Sequence, residues 1–242
     1  NEPQCFVNLG YKTGAHAPFE QNCESEIKNI SRNVMLAHGR AAKVIRERAK
    51  TTPKIGFAPT PGGMVIPSSL RSEEQAYNDS FDVSGGAWSA TWWSDPIVLG
   101  KKWTGCDWLS EEDLKVIHQP LDYYSYNIYN ADNPQELESV GAPRTAMGWA
   151  ITPECMYWSA KFFYKRYGLP ILITENGMAN IDFVHDDDKV HDPQRCEYLR
   201  RYIRNLKRAN DEGIPVIGYS CWSFLDNFEW AEGYGKRFGL VY

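Results

Sequence analysis

Pro170-Ile171-Leu172-Ile173-Thr174-Glu175-Asn176-Gly177 decides the fold. A short apolar run bounded by Pro and Gly reads as a buried strand, Pro170–Thr174, with a carboxylate just beyond its end and Asn176-Gly177 as a turn signal. Three other segments read the same way: Lys54–Pro59, Leu121–Tyr129 and Pro215–Trp222. Helical patterns lie between them. Ser25–Lys50 places Ile27, Ile30, Val34, Ala37, Ala41 and Ile45 at helical spacing, with cations crowding its end. Thr152–Tyr167 opens on Thr152-Pro153-Glu154 as cap and first turn and stops at Gly168, and Asp192–Glu212 opens on Asp192-Pro193 and stops at Gly213. A further stretch, Glu73–Ser94, is broken by Gly85-Gly86. Strands alternating with long helices predict parallel β/α units, with chemistry on the loops after the strands. A closed barrel needs eight such units. Here four full strands and a stub at Asn1-Glu2 are read, with no repeat or linker between them, so the expectation is one segment, residues 1–242, making up about half of a larger domain.

Composition narrows the function. With 242 residues, 43% of them hydrophobic, a net charge of −5 and no basic patch beyond Arg200-Arg201 and nearby helix charges, the chain is globular and a poor partner for nucleic acid. No apolar run approaches the roughly 20 residues of a membrane span. Cys5, Cys23, Cys106, Cys155, Cys196 and Cys221 form no Cys-x-x-Cys pair, which suits free thiols in a reducing, cytoplasmic compartment. A signal sequence is left open, because the chain lacks an initiator Met. Aromatic content of 14% suits either sugar stacking or core packing.

Glu175 and Glu2 are candidate paired carboxylates at strand ends, the arrangement that glycoside hydrolysis uses. Taken alone, Thr174-Glu175-Asn176-Gly177 also reads as a turn or N-cap carboxylate. The tail weighs against that: Trp222-Ser223-Phe224-Leu225-Asp226-Asn227-Phe228-Glu229-Trp230 and Gly233-Tyr234-Gly235-Lys236-Arg237-Phe238-Gly239 form a dense aromatic and acidic loop after a strand. These residues resemble family-1 glycoside hydrolases, the β-glucosidase and β-galactosidase family. Asn1-Glu2-Pro3 resembles its acid/base motif and Ile173-Thr174-Glu175-Asn176-Gly177 its nucleophile motif. His16-Ala17-Pro18, Ala37-His38-Gly39, Asp95-Pro96, Met147-Gly148-Trp149 and Pro153-Glu154 match in order along nearly the whole chain.

The resemblance implies an α/β fold, a (β/α)8 TIM barrel of which this chain supplies the end of strand 4 and strands 5–8 with their helices. The N-terminal strands, which in the family bring a Gln and a His-Trp pair to the glycone site, and the last helix lie outside it. The implied activity is that of a retaining β-glycosidase. Such an enzyme removes terminal β-linked glucose, or galactose or fucose, from glucosides or short oligosaccharides through a glycosyl-enzyme, as in cellulose degradation. Glu2 is then general acid and base, and Glu175 the nucleophile. Asn1 bonds the sugar 2-hydroxyl, and Tyr129, two residues after Asn127, orients Glu175. Glu229 binds sugar hydroxyls, Trp222, Trp230 and Phe238 line the glycone pocket, and Trp149 forms an aglycone wall. The Trp222-Ser223 peptide is expected to be cis. A retaining mechanism needs one carboxyl protonated near neutral pH and its partner ionised, and a hydrogen bond from Tyr129 is expected to keep Glu175 charged. Phe19 replaces a usual Gly after Ala-Pro, Ser125 and Ile128 a usual Gly and Tyr around Asn127, and Lys102-Trp103 a usual Tyr-Pro, which bears on loops and aglycone preference. No cofactor and no metal is implied. His185-Asp186-Asp187-Asp188 reads as a solvated loop, His38 as a packed, hydrogen-bonded histidine and Cys221 as a buried thiol. The expected partners are a small β-glycoside and the complementary half of the barrel. The alternatives are an inactive half-barrel or a non-catalytic carbohydrate-binding relative.

Overall fold

A computed structural model describes residues 1–132 and 141–242. The chain opens on a short helix, α1 (Pro3–Cys5), that widens into a π-helical turn at Phe6–Lys12. Helices α2 (Glu24–Arg48), α3 (Glu73–Ser80), α4 (Ala90–Ser94) and α5 (Glu111–Ile117) precede strand β1 (Tyr124–Asn127). Then α6 (Cys155–Tyr167), β2 (Ile171–Asn176), α7 (Pro193–Asp211) and β3 (Val216–Cys221) alternate. The three strands are parallel in the order β1-β2-β3, each joined to the next through a helix, as in part of a (β/α)8 barrel. Among the described residues no helix is long and apolar enough to cross a membrane.

The helices form where their end signals and apolar stripes agree. In α2, Glu26 accepts a hydrogen bond from the Cys23 backbone N–H at 2.8 Å, Arg46 and Arg48 occupy the last turn, and Ile27, Met35, Leu36 and Ala42 are buried. Gly39 lets α2 touch α5: a Cβ there would lie 2.0 Å from the Val116 carbonyl oxygen. Asp192 caps α7 by accepting the Arg195 N–H, behind Pro193 in the first turn. The expected cap of α6 is different. Thr152 lies outside the helix, and its Oγ1 accepts the Ala131 N–H at 2.7 Å, while Glu154 occupies the N-cap without a side-chain bond. Aromatics fill the layer between α6 and the sheet. Phe163 packs 4.9 Å from Tyr124 and 4.8 Å from Tyr126, whose hydroxyls pair with Ser94 and Ser159. Arg166 of α6 bonds Asp95 in a fork at 3.0 and 2.6 Å, and Tyr167 donates to the same carboxylate. His38 is packed edge-on to Phe57, but its buried Nε2 has no hydrogen-bond partner among the described residues, and burial pushes its pKa down to about 4.

Three strand segments differ from the sequence reading. Lys54–Pro59 is extended but is not a strand. Asp122, Ser125 and Asn127 donate backbone N–H groups to Ile55, Phe57 and Pro59, so the segment runs parallel to β1, yet Pro53 and Pro59 have no N–H to return. The Asp122 carboxylate pins this segment by accepting the Ile55 N–H and an Arg46 N–H, and these hold its pKa down to about 2. Secondly, β1 is shorter than Leu121–Tyr129. Thirdly, β2 runs past Thr174 to Asn176, so Glu175 lies inside a strand and Asn176 is no turn residue. Asn176 is fully buried. Its amide donates to the Ile128 carbonyl and the Tyr198 hydroxyl and accepts from the Tyr219 hydroxyl, tying all three strands together. Ser125 and Phe19 show what departures from the family pattern do here. Ser125 uses its hydroxyl to bond the Phe57 carbonyl at 3.0 Å, and Phe19 adopts the left-handed φ of 63° that a Gly tolerates without strain.

Candidate active site

The C-terminal ends of β1 and β2 face the start of the chain across a cavity of about 560 Å³. Glu2 arrives there on a left-handed turn (φ 44°), fixed by its N–H to the Ala58 carbonyl and by α1, whose buried Gln4 exchanges two hydrogen bonds with the Thr60 backbone. Glu175 arrives from β2. The cavity walls include Asn1, Glu2, Asn127, Tyr129, Trp149, Glu175, Trp222, Glu229 and Trp230, which is every predicted site residue except Phe238. Phe238 is buried behind the wall, its ring 6.2 Å from Tyr129 and 6.1 Å from Trp149, so it braces the pocket from outside.

A chain of amides connects the two carboxylates. Asn127 Nδ2 donates to Glu2 Oε1 and to Asn1 Oδ1, both at 2.9 Å, and Asn1 Nδ2 donates to Glu175 Oε1 at 3.3 Å. On the other side of Glu175, the Tyr129 hydroxyl donates to Oε2 at 2.9 Å. Burial raises the Glu175 pKa. The Tyr129 hydrogen bond opposes this most, the charge of Glu2 adds to the rise, and the two asparagines oppose it. Burial therefore outweighs the hydrogen bonds expected to keep this carboxylate charged. Burial, and then the charge of Glu175, push Tyr129 well above its ordinary range, so it stays a donor. The Cys5 thiol, raised by burial and then by Glu2, also stays protonated.

The loop after β3 supplies the rest of the wall. Trp222 is held at the end of β2 by its N–H to the Asn176 carbonyl, and Gly177 permits the approach: a Cβ there would sit 1.8 Å from the Trp222 carbonyl oxygen. The Trp222-Ser223 peptide is cis. Arg237 and the Gly239 N–H both bond Asp226, closing the loop. Within it Asn227 Nδ2 donates to Glu229 Oε2 at 2.7 Å, and Glu229 lines the cavity. Trp230 stacks on His16 with ring centroids 5.1 Å apart and planes 9° apart. Of these side chains, His16 and Asn227 enter the sequence reading only within motifs, and Cys5 only as a free thiol. Cys5 was legible, since it follows Glu2 by three residues across a Pro that opens a helix. Asn227, two residues before Glu229, carried only a weak loop signal.

Such an arrangement offers two carboxyls in one cavity, joined by amide donors and bordered by aromatic side chains that suit the apolar faces of a ring. Among the described residues no group of His, Cys, Asp or Glu is placed to hold a metal ion.

Comparison with known proteins extends over the same residues. The sequence profile of glycosyl hydrolase family 1 matches residues 1–242. Beta-glucosidase A of Thermotoga maritima is 35% identical over 265 residues, covering 100% of this chain and 57% of its own length. The bifunctional beta-D-glucosidase/beta-D-fucosidase of Bifidobacterium breve is 34% identical, with 100% and 58% covered. Among solved structures, a family 1 β-glucosidase from Thermotoga maritima matches with a TM-score of 0.84 at 34% identity, over 100% of this chain and 57% of that one. A solved complex of that enzyme with isofagomine lactam matches equally well. The chain thus spans a little over half the length of these relatives.

Proposed function

From the premise that this chain belongs to glycosyl hydrolase family 1, we propose that it forms the catalytic part of a retaining β-glycosidase that releases terminal β-linked glucose. The observation that carries the reading is the shared cavity in which Asn127 and Asn1 link Glu2 to Glu175 while Tyr129 holds the far oxygen of Glu175. Ionised Glu175 attacks the anomeric carbon as Glu2 gives its proton to the departing glycosidic oxygen, so the C–O bond to the aglycone breaks as the ester to Glu175 forms. Glu2, now a carboxylate, takes a proton from water, and that water displaces Glu175 from the same face as the lost aglycone. Tyr129 and Asn1 stabilise Glu175 as a leaving carboxylate in this second step. Glu229 accepts hydrogen bonds from glycone hydroxyls through its free oxygen, and Trp222 and Trp230 stack on the ring. Galactose and fucose are secondary glycones, and Trp149 borders the aglycone.

The relatives' extra length supports a second part of the proposal. Residues 1–242 are one segment of a (β/α)8 barrel, completed by β/α units that pair with the open edges of this sheet. Ile217 on β3 is 55% exposed, an apolar strand residue left for such a neighbour. The six free cysteines fit a reducing, cytoplasmic setting. A non-catalytic binding relative is disfavoured by the presence of both carboxylates. The test is Glu175→Ala in the assembled barrel. Aryl glucoside turnover should fall by several orders of magnitude, and added azide should restore part of it with an inverted glycosyl azide as product. Undiminished turnover, or no effect of azide, would remove Glu175 from its role.

A further inference from the structure

β2 carries one residue more than β1 where the two carboxylates meet. Tyr126 pairs with Ile173 and Asn127 with Glu175, which leaves Thr174 as the extra residue of a bulge. Bulges beside active sites re-aim side chains. Here two residues adjacent in sequence both find partners on β1 and the loop after it. Glu175 accepts from Tyr129, and Thr174 Oγ1 donates to Asn127 Oδ1 at 2.6 Å. Asn127 is 1% exposed, so its amide has little water to fall back on. Its donor end serves Glu2 and Asn1, and its acceptor end is met by Thr174. The reversed amide would set Oδ1 against the Glu2 carboxylate and against Asn1 Oδ1, three acceptors together.

We propose that Thr174 is a positioning residue for the acid/base: its hydroxyl holds the Asn127 amide so that Nδ2 steers the Glu2 carboxyl toward the glycosidic oxygen. The inference rests on the reading of Glu2 as acid/base given above. Valine at 174 keeps the shape and leaves the buried Asn127 oxygen without a donor, which frees the amide to turn. The effect passes through Glu2, so it is felt in proportion to the need for acid help. Aglycones that leave poorly need that help, and activated ones do not.

The experiment compares kcat/KM for wild type, Thr174→Val, Thr174→Ser and Glu2→Gln in the assembled barrel, with 2,4-dinitrophenyl β-glucoside and phenyl β-glucoside as substrates. Thr174→Val should lose about tenfold with the phenyl glucoside and under about threefold with the dinitrophenyl one. Thr174→Ser, which keeps the hydroxyl, should recover most of the loss. Glu2→Gln should show the same slope more steeply, with about 10²–10⁴-fold lost on the poorer leaving group. If Thr174→Val does not fold, as judged by thermal unfolding, Thr174→Ala carries the same comparison. Equal losses on both substrates, or no loss, would overturn the inference provided Glu2→Gln keeps its slope. A wild type inactive on both, or a flat Glu2→Gln, would instead overturn the reading of the site.

Discussion

Replacing Tyr129 by Phe removes one hydroxyl and leaves the ring against Trp149, 5.0 Å away. The lost hydrogen bond is the one from the phenol to Glu175 Oε2 at 2.9 Å, and it favours the ionised carboxylate. Hydrogen bonds to charged groups are worth about 1.5–3 kcal/mol, and because Glu175 is only half-buried the lower part of that range applies. About 1.5 kcal/mol corresponds to roughly a tenfold drop in the ratio of ionised to protonated Glu175. The sign follows from what already acts on the group. Burial raises its pKa and Tyr129 is the largest opposing influence, so deleting the hydroxyl raises it further. The nucleophile must be ionised, so the acidic limb of kcat/KM should move to higher pH. The loss should be greatest on that limb and smaller on the alkaline side, where the carboxylate is charged in both enzymes. The assay is kcat/KM against pH with 2,4-dinitrophenyl β-glucoside, whose cleavage needs little help from the acid. A limb that stays in place or moves to lower pH would refute the argument.

Gly39→Ala should cost about 1–3 kcal/mol, or more if α5 cannot shift, because the new methyl meets the Val116 carbonyl at 2.0 Å; the thermal midpoint of the assembled protein reads this. Glu229→Gln should raise KM for the plain glucoside by about tenfold through loss of a charged acceptor, while wild type should prefer glucoside to 6-phosphoglucoside because a carboxylate repels a phosphate; steady-state kinetics on both substrates checks each. Residues 1–242 expressed alone should aggregate or unfold without cooperativity, with aryl-glucoside hydrolysis at least about 10²-fold below that of the assembled barrel, since the open strand edges stay unpaired; gel filtration and a thermal melt settle it, and a cooperative, active monomer would contradict it.

The sequence was most legible where several local signals agreed. The helices α2 and α7 begin and end within a residue or two of their predicted bounds, α2 through its apolar stripe and terminal cations, α7 through its cap and stop. Strand existence was readable, but strand status was not. Lys54–Pro59 has the composition of a strand and the position of one, but its bonds to β1 are irregularly spaced and Pro59 has no N–H to give to a ladder. Helix α5 has only seven residues, too short for a clear apolar period, and its one sequence signal is the capping box of Ser110 and Asp113. In the site, the motifs of the family resemblance pointed to Glu2, Glu175, Tyr129 and Glu229, and all four line the cavity. They did not foretell that Asn127 spends its amide on Glu2 and Asn1, or that Phe238 stands behind the wall. The first depends on register: one extra residue in β2 turns Thr174 and Glu175 toward the same neighbours, and no local pattern in Ile173-Thr174-Glu175 announces a bulge.

The central claim is that Glu175 acts as a nucleophile and Glu2 as acid and then base. Proton NMR of the assembled enzyme turning over an aryl β-glucoside, read before the sugar mutarotates, tests this most directly. Two displacements at one carbon predict that β-glucose appears first and α-glucose only later, by mutarotation. α-Glucose as the first-formed product would mean a single displacement by water, and would contradict the account.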